Sequence, residues 1–304
     1  MKAFVEKIRL VVSAGFVEKV DAREETFEYS KAGTAIRRLF LHLIKRAKPF
    51  RKEIHFVYQF ESRSERLSRS MDYLSSIRNI HHGERIFVVA NGPSLRYSDL
   101  DLITREISIG SNLIHLAYEH TSWRPDYFTV SDTKVWAKMG PEVQSKHDHL
   151  ILLDSLDPRR ATVSHSSVRQ LSALNVRKGV LPFSDNLNVG AFGGHTVTYF
   201  NLQLAHHLGA KSIVLLGLDH YYEQPKSRSR TIVVNHEQNH FHPDYRQRDE
   251  MVFKAPLEKM TYYFEKAHRF SESSGVRILN ATPRTSLSVF PVTDLATVLR
   301  SPGR

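Results

Sequence analysis

From Arg85 onward, short apolar runs that end in polar or glycine residues alternate with longer stretches in which apolar residues recur every three or four positions. The short runs are typical of strands buried on both faces, and the periodic stretches are typical of helices. This alternation predicts an α/β fold, a Rossmann-like, mostly parallel sheet flanked by helices. In such a sheet, ligands bind in the crevice at the carboxyl ends of the strands.

The predicted strands are Arg85–Ala90, Glu106–Ser111, Tyr127–Ser131, His149–Asp154, Ser212–Leu216 and Arg277–Asn280. Two of the intervening helices are predicted over Thr196–Leu208 and Met251–Ser274, because their apolar residues fall on one helical face. We therefore assign residues 85–304 to one α/β domain and residues 1–84 to a helical, basic N-terminal extension.

The extension carries much of the positive charge. Residues 1–84 hold 17 Lys and Arg against 11 Asp and Glu, in a chain whose formal net charge is +11. Between Arg37 and Lys52 there are seven basic residues and no acidic one. Apolar residues recur there at helical spacing, which predicts a basic amphipathic helix over residues 36–52. Either this helix contacts an anionic membrane, or it packs on the main domain with a solvated basic rim.

Composition excludes several kinds of site. The chain has no cysteine, so disulfides, thiolate metal sites and a cysteine nucleophile are excluded. It has no continuous apolar run of about 18 residues, the length that predicts a membrane-spanning helix. Its first residues lack the apolar stretch of a signal peptide. We expect a cytoplasmic protein that can associate peripherally with the inner face of the membrane, and whose charge attracts anions.

A glycine turn follows the first predicted strand. The sequence Asn91-Gly92-Pro93-Ser94 leads into the next helix, where glycine permits close backbone approach and serine can cap the helix. Free amide groups and the helix dipole make such a turn a phosphate-binding site. The sequence is neither GxGxxG nor a Walker loop, and the alternative is a plain tight turn.

Polar side chains follow the next two strands. Asn112 and Asp132 stand where a doubly wound sheet presents side chains to its ligand. Asn112 could bind a base or ribose, and Asp132 could accept a hydrogen bond from a ribose hydroxyl. The alternative for each is a helix cap.

Two more segments offer anion-binding groups. Gly193 and Gly194 precede a predicted helix, so they form either a second anion site or a flexible connection in which His195 or Thr196 caps the helix. The strand Ser212–Leu216 is followed by Gly217-Leu218-Asp219-His220-Tyr221-Tyr222. A phenol at this position can donate to a departing phosphate oxygen without a metal.

The loop over residues 235–244 contains His236, His240 and His242. One of them could be a general base, since a single imidazole near neutral pKa suffices. Alternatively, they could bind zinc together with Glu237 or Asp244, or lie in a surface loop. The spacing matches neither HExxH nor a zinc-finger pattern.

Residues 85–294 resemble the bacterial sialyltransferases of glycosyltransferase family 42 and the wider group that shares their nucleotide-binding domain. That group includes flagellin-modifying motility-associated factors and the archaeal-type hydroxymethylpterin diphosphokinase. The resemblance rests on four segments: Asn91–Leu95, Asn112, Leu208–Tyr222 and Asn280–Pro291. It implies a variant of the GT-A fold and an inverting, metal-independent transfer of a sialic-acid-like or other acidic sugar. The donor would be CMP-activated, with no further cofactor.

The resemblance also implies that Asn91, Ser94 and Asn112 hold the cytidine nucleotide and that Tyr221 binds the leaving phosphate. This sequence departs from the family at several positions. The family's second tyrosine is Ser227 here, and its asparagine after the third strand is Asp132. Its catalytic histidine falls on Asp244 without gaps. His240 aligns with a different histidine, and His242 reaches the position of the base only after a two-residue shift.

We therefore predict a glycosyltransferase in which His242 or His240 deprotonates a glycan or glycolipid acceptor and Tyr221 stabilises the departing phosphate. The predicted nucleotide-binding residues are Asn91, Gly92, Ser94, Asn112, Asp132, Gly193, Gly194, Gly217, Asp219 and Tyr222. We expect no bound metal and no nucleic acid, and allow for a homo-oligomer. The alternatives are a magnesium-dependent pterin-type diphosphokinase and a noncatalytic membrane- or nucleic-acid-binding protein.

Overall fold

The computed structural model describes residues 17–21, 26–29, 70–139, 143, 146–153, 166–168, 170–171, 180–225, 229–236 and 238–301. The chain divides into two compact units, residues 1–64 and 65–304. Residues 65–84, which we assigned to the extension from sequence, belong to the second unit. The predicted basic helix over residues 36–52 lies outside the described residues.

The first unit contains an antiparallel pair of strands, β1 (Val17–Asp21) and β2 (Thr26–Tyr29). Both are rich in the β-branched and aromatic residues that favour strands. Residues 17–21 and 26–29 of the extension therefore contribute a β-ribbon, which a purely helical extension would not contain, whereas residues 70–77 are helical.

The second unit is built on a seven-stranded sheet in which every neighbouring pair is parallel. Its strands are β3 (Arg85–Val89), β4 (Ile107–Ser111), β5 (Tyr127–Val130), β6 (Leu150–Leu153), β7 (Ser166–Val168), β10 (Ser212–Leu216) and β13 (Arg277–Asn280). The predicted Rossmann-like α/β fold is confirmed, and six of these strands coincide with the predicted ones.

The order of the strands is β13-β10-β3-β4-β5-β6-β7. From β3 the chain proceeds strand by strand toward β7, and it then returns to place β10 on the other side of β3. The order therefore reverses between β3 and β10, which pair in register from Arg85 opposite Ser212 to Val89 opposite Leu216. Such a switch point opens a crevice at the carboxyl ends of the two strands.

Both faces of the sheet are covered. Ile86 and Val88 of β3 belong to one buried apolar cluster, and Phe87 and Val89 belong to a second cluster on the opposite face. Complete burial of an aliphatic or aromatic side chain stabilises the fold by about 1.5–3 kcal/mol. Because β3 is buried on both faces, its residues from Ile86 to Val89 are all apolar.

Helices and short ribbons complete the unit. Residues 70–77 are helical. The remaining helices are α1 (Tyr97–Leu102), α2 (Thr133–Lys138), α3 (Val197–Leu208), α4 (Leu257–Ser274) and α5 (Leu295–Arg300), with 3-10 turns at Ile114–Glu119 and Pro243–Tyr245. The ribbons are parallel β8 (Gln170–Leu171) with β9 (Ala191–Phe192), and antiparallel β11 (Thr231–Val233) with β12 (Met251–Phe253). Among the described helices, none is both long and apolar enough to cross a bilayer.

The prediction for α3 is confirmed. Thr196 caps the helix, because its side chain accepts a hydrogen bond from the backbone amide of Thr198 over 3.3 Å. The helix ends at Gly209, whose φ of 92° is readily adopted by glycine. All residues of α3 are buried, so this helix lies in the interior of the domain.

The predicted helix over Met251–Ser274 begins too early. Met251–Phe253 forms β12, and α4 starts only after Pro256. Proline disfavours a helical conformation of the residue before it and lacks the amide that the helix interior needs. Pro256 therefore sets the first turn of α4, and the preceding residues pair with β11.

Candidate functional site

A cavity of about 650 Å³ opens at the carboxyl ends of the strands, at the switch point between β3 and β10. Its polar lining comes from segments far apart in sequence. The groups from predicted site residues are Asn91, Gly92, Asn112, Asp132, Gly217, Asp219, Tyr221, Tyr222 and His240. Ser94, Gly193, Gly194 and His242 are not among the residues that line it in the described part of the chain. The structure thus brings nine of the predicted residues together.

The turns after β3 and β10 are joined at Gly92. Its backbone amide donates a hydrogen bond of 2.8 Å to the carbonyl oxygen of Gly217. A Cβ atom at residue 92 would overlap the Asp219 carboxylate and the Gly217 carbonyl. Gly217 itself has a φ of 65°, in the left-handed region that favours glycine. Both glycines are therefore needed for the close approach of the two turns.

Two asparagines present amide oxygens at this edge. Asn91 is buried, and its Nδ2 donates to the Ser111 carbonyl oxygen over 3.2 Å. Asn112 adopts a φ of 56°, and its backbone amide donates to the Thr129 carbonyl oxygen over 3.0 Å. Each Oδ1 atom is buried and has no hydrogen-bond partner among the described residues. A buried unpaired acceptor is costly, so both atoms suit a ligand that donates hydrogen bonds.

Asp219 fixes the glycine turn from the other side. Its Oδ2 accepts a hydrogen bond from the backbone amide of Ser94 over 3.3 Å. Burial raises the pKa of the Asp219 carboxyl, an effect opposed by the hydrogen bonds from Ser94 and by Arg284. Ser94 does not cap α1, because that helix begins after Arg96, which makes no side-chain capping bond. The amide of Ser94 is therefore occupied by a carboxylate of the chain itself.

Asp132 caps a helix and also lines the cavity. Its Oδ1 accepts hydrogen bonds from the amides of Lys134 at 2.7 Å and Val135 at 3.4 Å, which caps α2. The residue also lines the cavity. A cap at the end of a strand can therefore still lie beside a bound ligand.

The glycine loop before α3 contributes to the cavity through the residues that follow the glycines. Gly194 has a φ of 58°, and a Cβ atom there would overlap the Tyr199 ring. His195, with a φ of 63°, lines the cavity together with Thr196 and Thr198. Burial, together with Lys259, lowers the pKa of His195. The amino end of α3 therefore faces the cavity, where its dipole favours an anion.

The two tyrosines after β10 differ in exposure. Tyr221 is 59% exposed and lines the cavity, so its hydroxyl is accessible to a ligand. Tyr222 is partly buried against the apolar core. The two adjacent phenols therefore differ in exposure, although both line the cavity.

The two histidines predicted as bases lie in different environments. His240 lines the cavity and stacks on the buried Tyr245, with ring centroids 3.7 Å apart and an interplanar angle of 5°. His242 begins the 3-10 turn, where its Nδ1 accepts a hydrogen bond from the Asp244 amide over 3.1 Å. An imidazole nitrogen that accepts an amide hydrogen bond is already engaged. The role of either histidine as the base remains a prediction.

Zinc ligation by this loop is the alternative that we left open. Within the part of the chain that the structure describes, no group of three or more His, Asp or Glu side chains is arranged to hold a metal ion. Glu237 lies outside the described residues, as does Ser227.

His220, Arg246 and Lys254 also line the cavity, and none of them had an assigned role from sequence. Arg246 donates to Glu250 over 3.0 Å, whereas its buried Nε has no hydrogen-bond partner in the described ranges. The Nζ of Lys254 donates to the Pro225 carbonyl oxygen over 2.6 Å. Neither cation belongs to a motif. Only their placement after the histidine-rich loop could have drawn attention to them.

Comparison with known proteins agrees with this geometry at the level of the family. The family model described as 6-hydroxymethylpterin diphosphokinase MptE-like matches residues 64–225, more than half of the chain. Neither curated proteins nor solved structures show a match to it. The matched region contains the turns at Gly92 and Gly217 but not the loop with His240. The specific resemblance to the sialyltransferases remains a prediction, and the chain belongs to the 6-hydroxymethylpterin diphosphokinase MptE-like family.

Proposed function

We propose that this chain is a transferase that binds a nucleotide-activated donor in the cavity at the switch point. One observation carries the proposal: Asn91, after β3, and Tyr221, after β10, line the same cavity. The cavity volume of about 650 Å³ lies within the range of small-molecule sites. We propose the donor to be a CMP-activated acidic sugar and the acceptor a glycan or glycolipid hydroxyl.

The polar groups of the lining support a nucleotide as ligand. The unpaired Oδ1 atoms of Asn91 and Asn112 can accept from the amino group of a base or from ribose hydroxyls. The unpaired Nε of Arg246 can donate to a phosphate or a carboxylate. A ligand that carries both hydrogen-bond donors and anionic oxygens therefore matches the lining.

The leaving phosphate has several stabilising groups within the chain. The exposed hydroxyl of Tyr221 can donate to a phosphate oxygen, and His195 with the amino end of α3 offers further donors. Arg246 and Lys254 add positive charge to the same wall. We expect these groups to stabilise departure of the nucleotide, so that transfer continues in EDTA.

A thermal-shift screen tests this proposal. CMP, CDP, UDP, GDP and ATP are each added with and without magnesium, because a specific ligand raises the melting temperature by mass action. We expect the largest shift with CMP, unchanged by EDTA. A shift with ATP alone that requires magnesium would reject the sugar-nucleotide donor in favour of the second candidate below.

The second candidate is a diphosphokinase, and the family match is the observation that favours it. In that reaction, the pyrophosphoryl group of ATP passes to an alcohol with the help of Mg²⁺. The ion prefers oxygen ligands and usually keeps several waters beside one or two carboxylates. Asp132 and Asp219 line the cavity and supply such oxygens, so the donor set fits. When bound, the ion would neutralise charge on the phosphates.

A further inference from the structure

His220 occupies a special position in the cavity wall. It follows Asp219 directly and adopts a φ of 54°, in the left-handed region that β-substituted residues rarely use. Such strained conformations are concentrated at functional sites. The imidazole lines the cavity and lies edge-on to Phe264 of α4, with centroids 5.7 Å apart.

One nitrogen of this imidazole is fixed by a hydroxyl of α4. Nε2 of His220 lies 2.8 Å from Oγ1 of Thr261. The Thr261 hydroxyl donates its own proton to the carbonyl oxygen of Leu257 over 3.0 Å. Since that proton is used, Oγ1 must accept from Nε2–H. The network therefore places the proton of the neutral ring on Nε2 and leaves the lone pair on Nδ1.

The other nitrogen, Nδ1, is buried and has no hydrogen-bond partner among the residues that the structure describes. A neutral imidazole with one nitrogen held by an orienting group and the other nitrogen free is the arrangement of a general base.

We propose that His220 is the proton acceptor of this site and that Thr261 is its positioning residue. The inference rests on the proposed transferase function. The acceptor hydroxyl transfers its proton to Nδ1 of His220 as its oxygen forms the new bond to the anomeric carbon. The bond between that carbon and the phosphate oxygen breaks, and the departing CMP takes the electron pair. His220 becomes an imidazolium ion and later releases the proton to water.

His220 and Tyr221 differ in their surroundings although they are consecutive in the chain. The ring of His220 contacts Thr261 and Phe264 of α4, whereas Tyr221 is 59% exposed. Two consecutive residues thus turn their side chains in different directions. His242, by contrast, is engaged at Nδ1 by the amide of Asp244.

The first test needs no substrate. Nitrogen NMR of the full chain reports the tautomer and pKa of each histidine, and the spectrum of His220→Gln identifies the signals of His220. We expect the Nε2–H tautomer. An Nδ1–H tautomer would overturn the proposal, since Nδ1 could then not accept a proton.

The second test compares binding with transfer. His220→Gln should leave the CMP affinity within about twofold and lower transfer from a CMP-linked acidic sugar by about 10² to 10⁴. Thr261→Val should lower transfer, and Thr261→Ser should restore it, because only serine retains the hydroxyl. Added imidazole should partly restore transfer by His220→Ala. The matched control is His268→Gln, which changes a histidine of α4 outside the cavity.

The outcomes separate the two proposals. If the unmodified chain binds no CMP, the proposed donor is wrong, whatever the state of His220. If the chain binds CMP and transfers the sugar, but His220→Gln keeps more than about a hundredth of the rate, the assignment of His220 is wrong while the transferase function stands.

Discussion

The backbone amide of Gly92 donates a hydrogen bond of 2.8 Å to the backbone carbonyl of Gly217. This bond joins the turns that follow β3 and β10, the two strands between which the strand order reverses. Because both turns carry cavity residues, it positions Asn91 and Tyr221 around one space. The proposed nucleotide site therefore depends on the close approach of two backbone segments.

Gly92→Ala tests this approach. Its methyl group would overlap the Asp219 carboxylate and the Gly217 carbonyl. We expect a loss of stability of about 1–3 kcal/mol and at least about a tenfold weaker affinity for CMP. Urea unfolding and calorimetric titration measure the two effects. Gly275→Ala is the control, since its φ of 74° makes it destabilising too, whereas a Cβ atom there has open space. Equal loss of CMP affinity in both variants would contradict the local explanation.

Tyr221→Phe tests the phenol as the donor to the leaving phosphate. The hydroxyl is removed and the ring is kept, at a residue that is 59% exposed. Stability should change little and CMP should bind about tenfold more weakly, because one hydrogen bond to its phosphate is lost. The transfer rate should fall further, by about 10²-fold, the typical effect of removing one such donor. Fixed-time transfer assays at saturating substrate concentrations measure the rate. An unchanged rate would remove Tyr221 from the mechanism.

Gln203→Leu tests the support of the loop before α3. The Oε1 atom of Gln203 accepts from the amides of Ser184 at 3.1 Å and Phe192 at 2.9 Å, and Nε2 donates to the carbonyls of Phe192 at 2.8 Å and Tyr199 at 3.0 Å. Leucine has a similar volume but leaves these buried backbone groups unpaired.

We expect Gln203→Leu to lose more than about 2 kcal/mol of unfolding free energy and to bind CMP more weakly, because the support of the His195 loop is lost. Leu204→Met, a substitution of similar volume at the next position, is the control and should cost less than about 1.5 kcal/mol. Similar unfolding curves for the two variants would show that the hydrogen bonds of Gln203 contribute little.

His206 makes the fold sensitive to acid. Burial lowers the pKa of this α3 histidine to about 4. As pH falls from about 6.5 to 4, the unfolded chain takes up a proton that the folded chain does not, so stability falls. By pH 5, this one group lowers the free energy of unfolding by about 2 kcal/mol relative to pH 7. Urea unfolding at pH 7 and pH 5 measures the effect. Between these two pH values, His206→Gln should lose less unfolding free energy than the unmodified chain. The exposed His82, changed to Gln, serves as the control. The same pH dependence in all three proteins would contradict the effect.

The strand positions could be predicted because parallel strands buried on both faces read as continuous apolar runs. The carboxyl edge followed from the same pattern, and Asn91, Asn112 and Tyr221 do meet there. The predicted start of α4 was wrong because we followed the apolar spacing around Met251 and did not end the pattern at Pro256. The local sequence pattern therefore predicts the position of the site better than it predicts the bounds of β12 and α4.

Other features of the site depend on contacts between distant segments. His220 and Thr261 are separated by 41 residues, so no local pattern shows that a hydroxyl fixes the tautomer of the imidazole. Arg246 is similarly hidden, because only the fold brings its Nε to the cavity. Gly193 and Gly194 shape the loop, while the neighbouring His195 lines the cavity. Such roles follow from tertiary packing, which the order of residues does not display.

A crystal structure of the chain with CMP tests the central claim most directly. We expect the nucleoside to contact the amide oxygens of Asn91 and Asn112, with the phosphate within hydrogen-bond distance of the Tyr221 hydroxyl. Density for CMP elsewhere on the protein, or density that touches the turn at Gly92 but leaves Tyr221 without contact to the phosphate, would contradict the account.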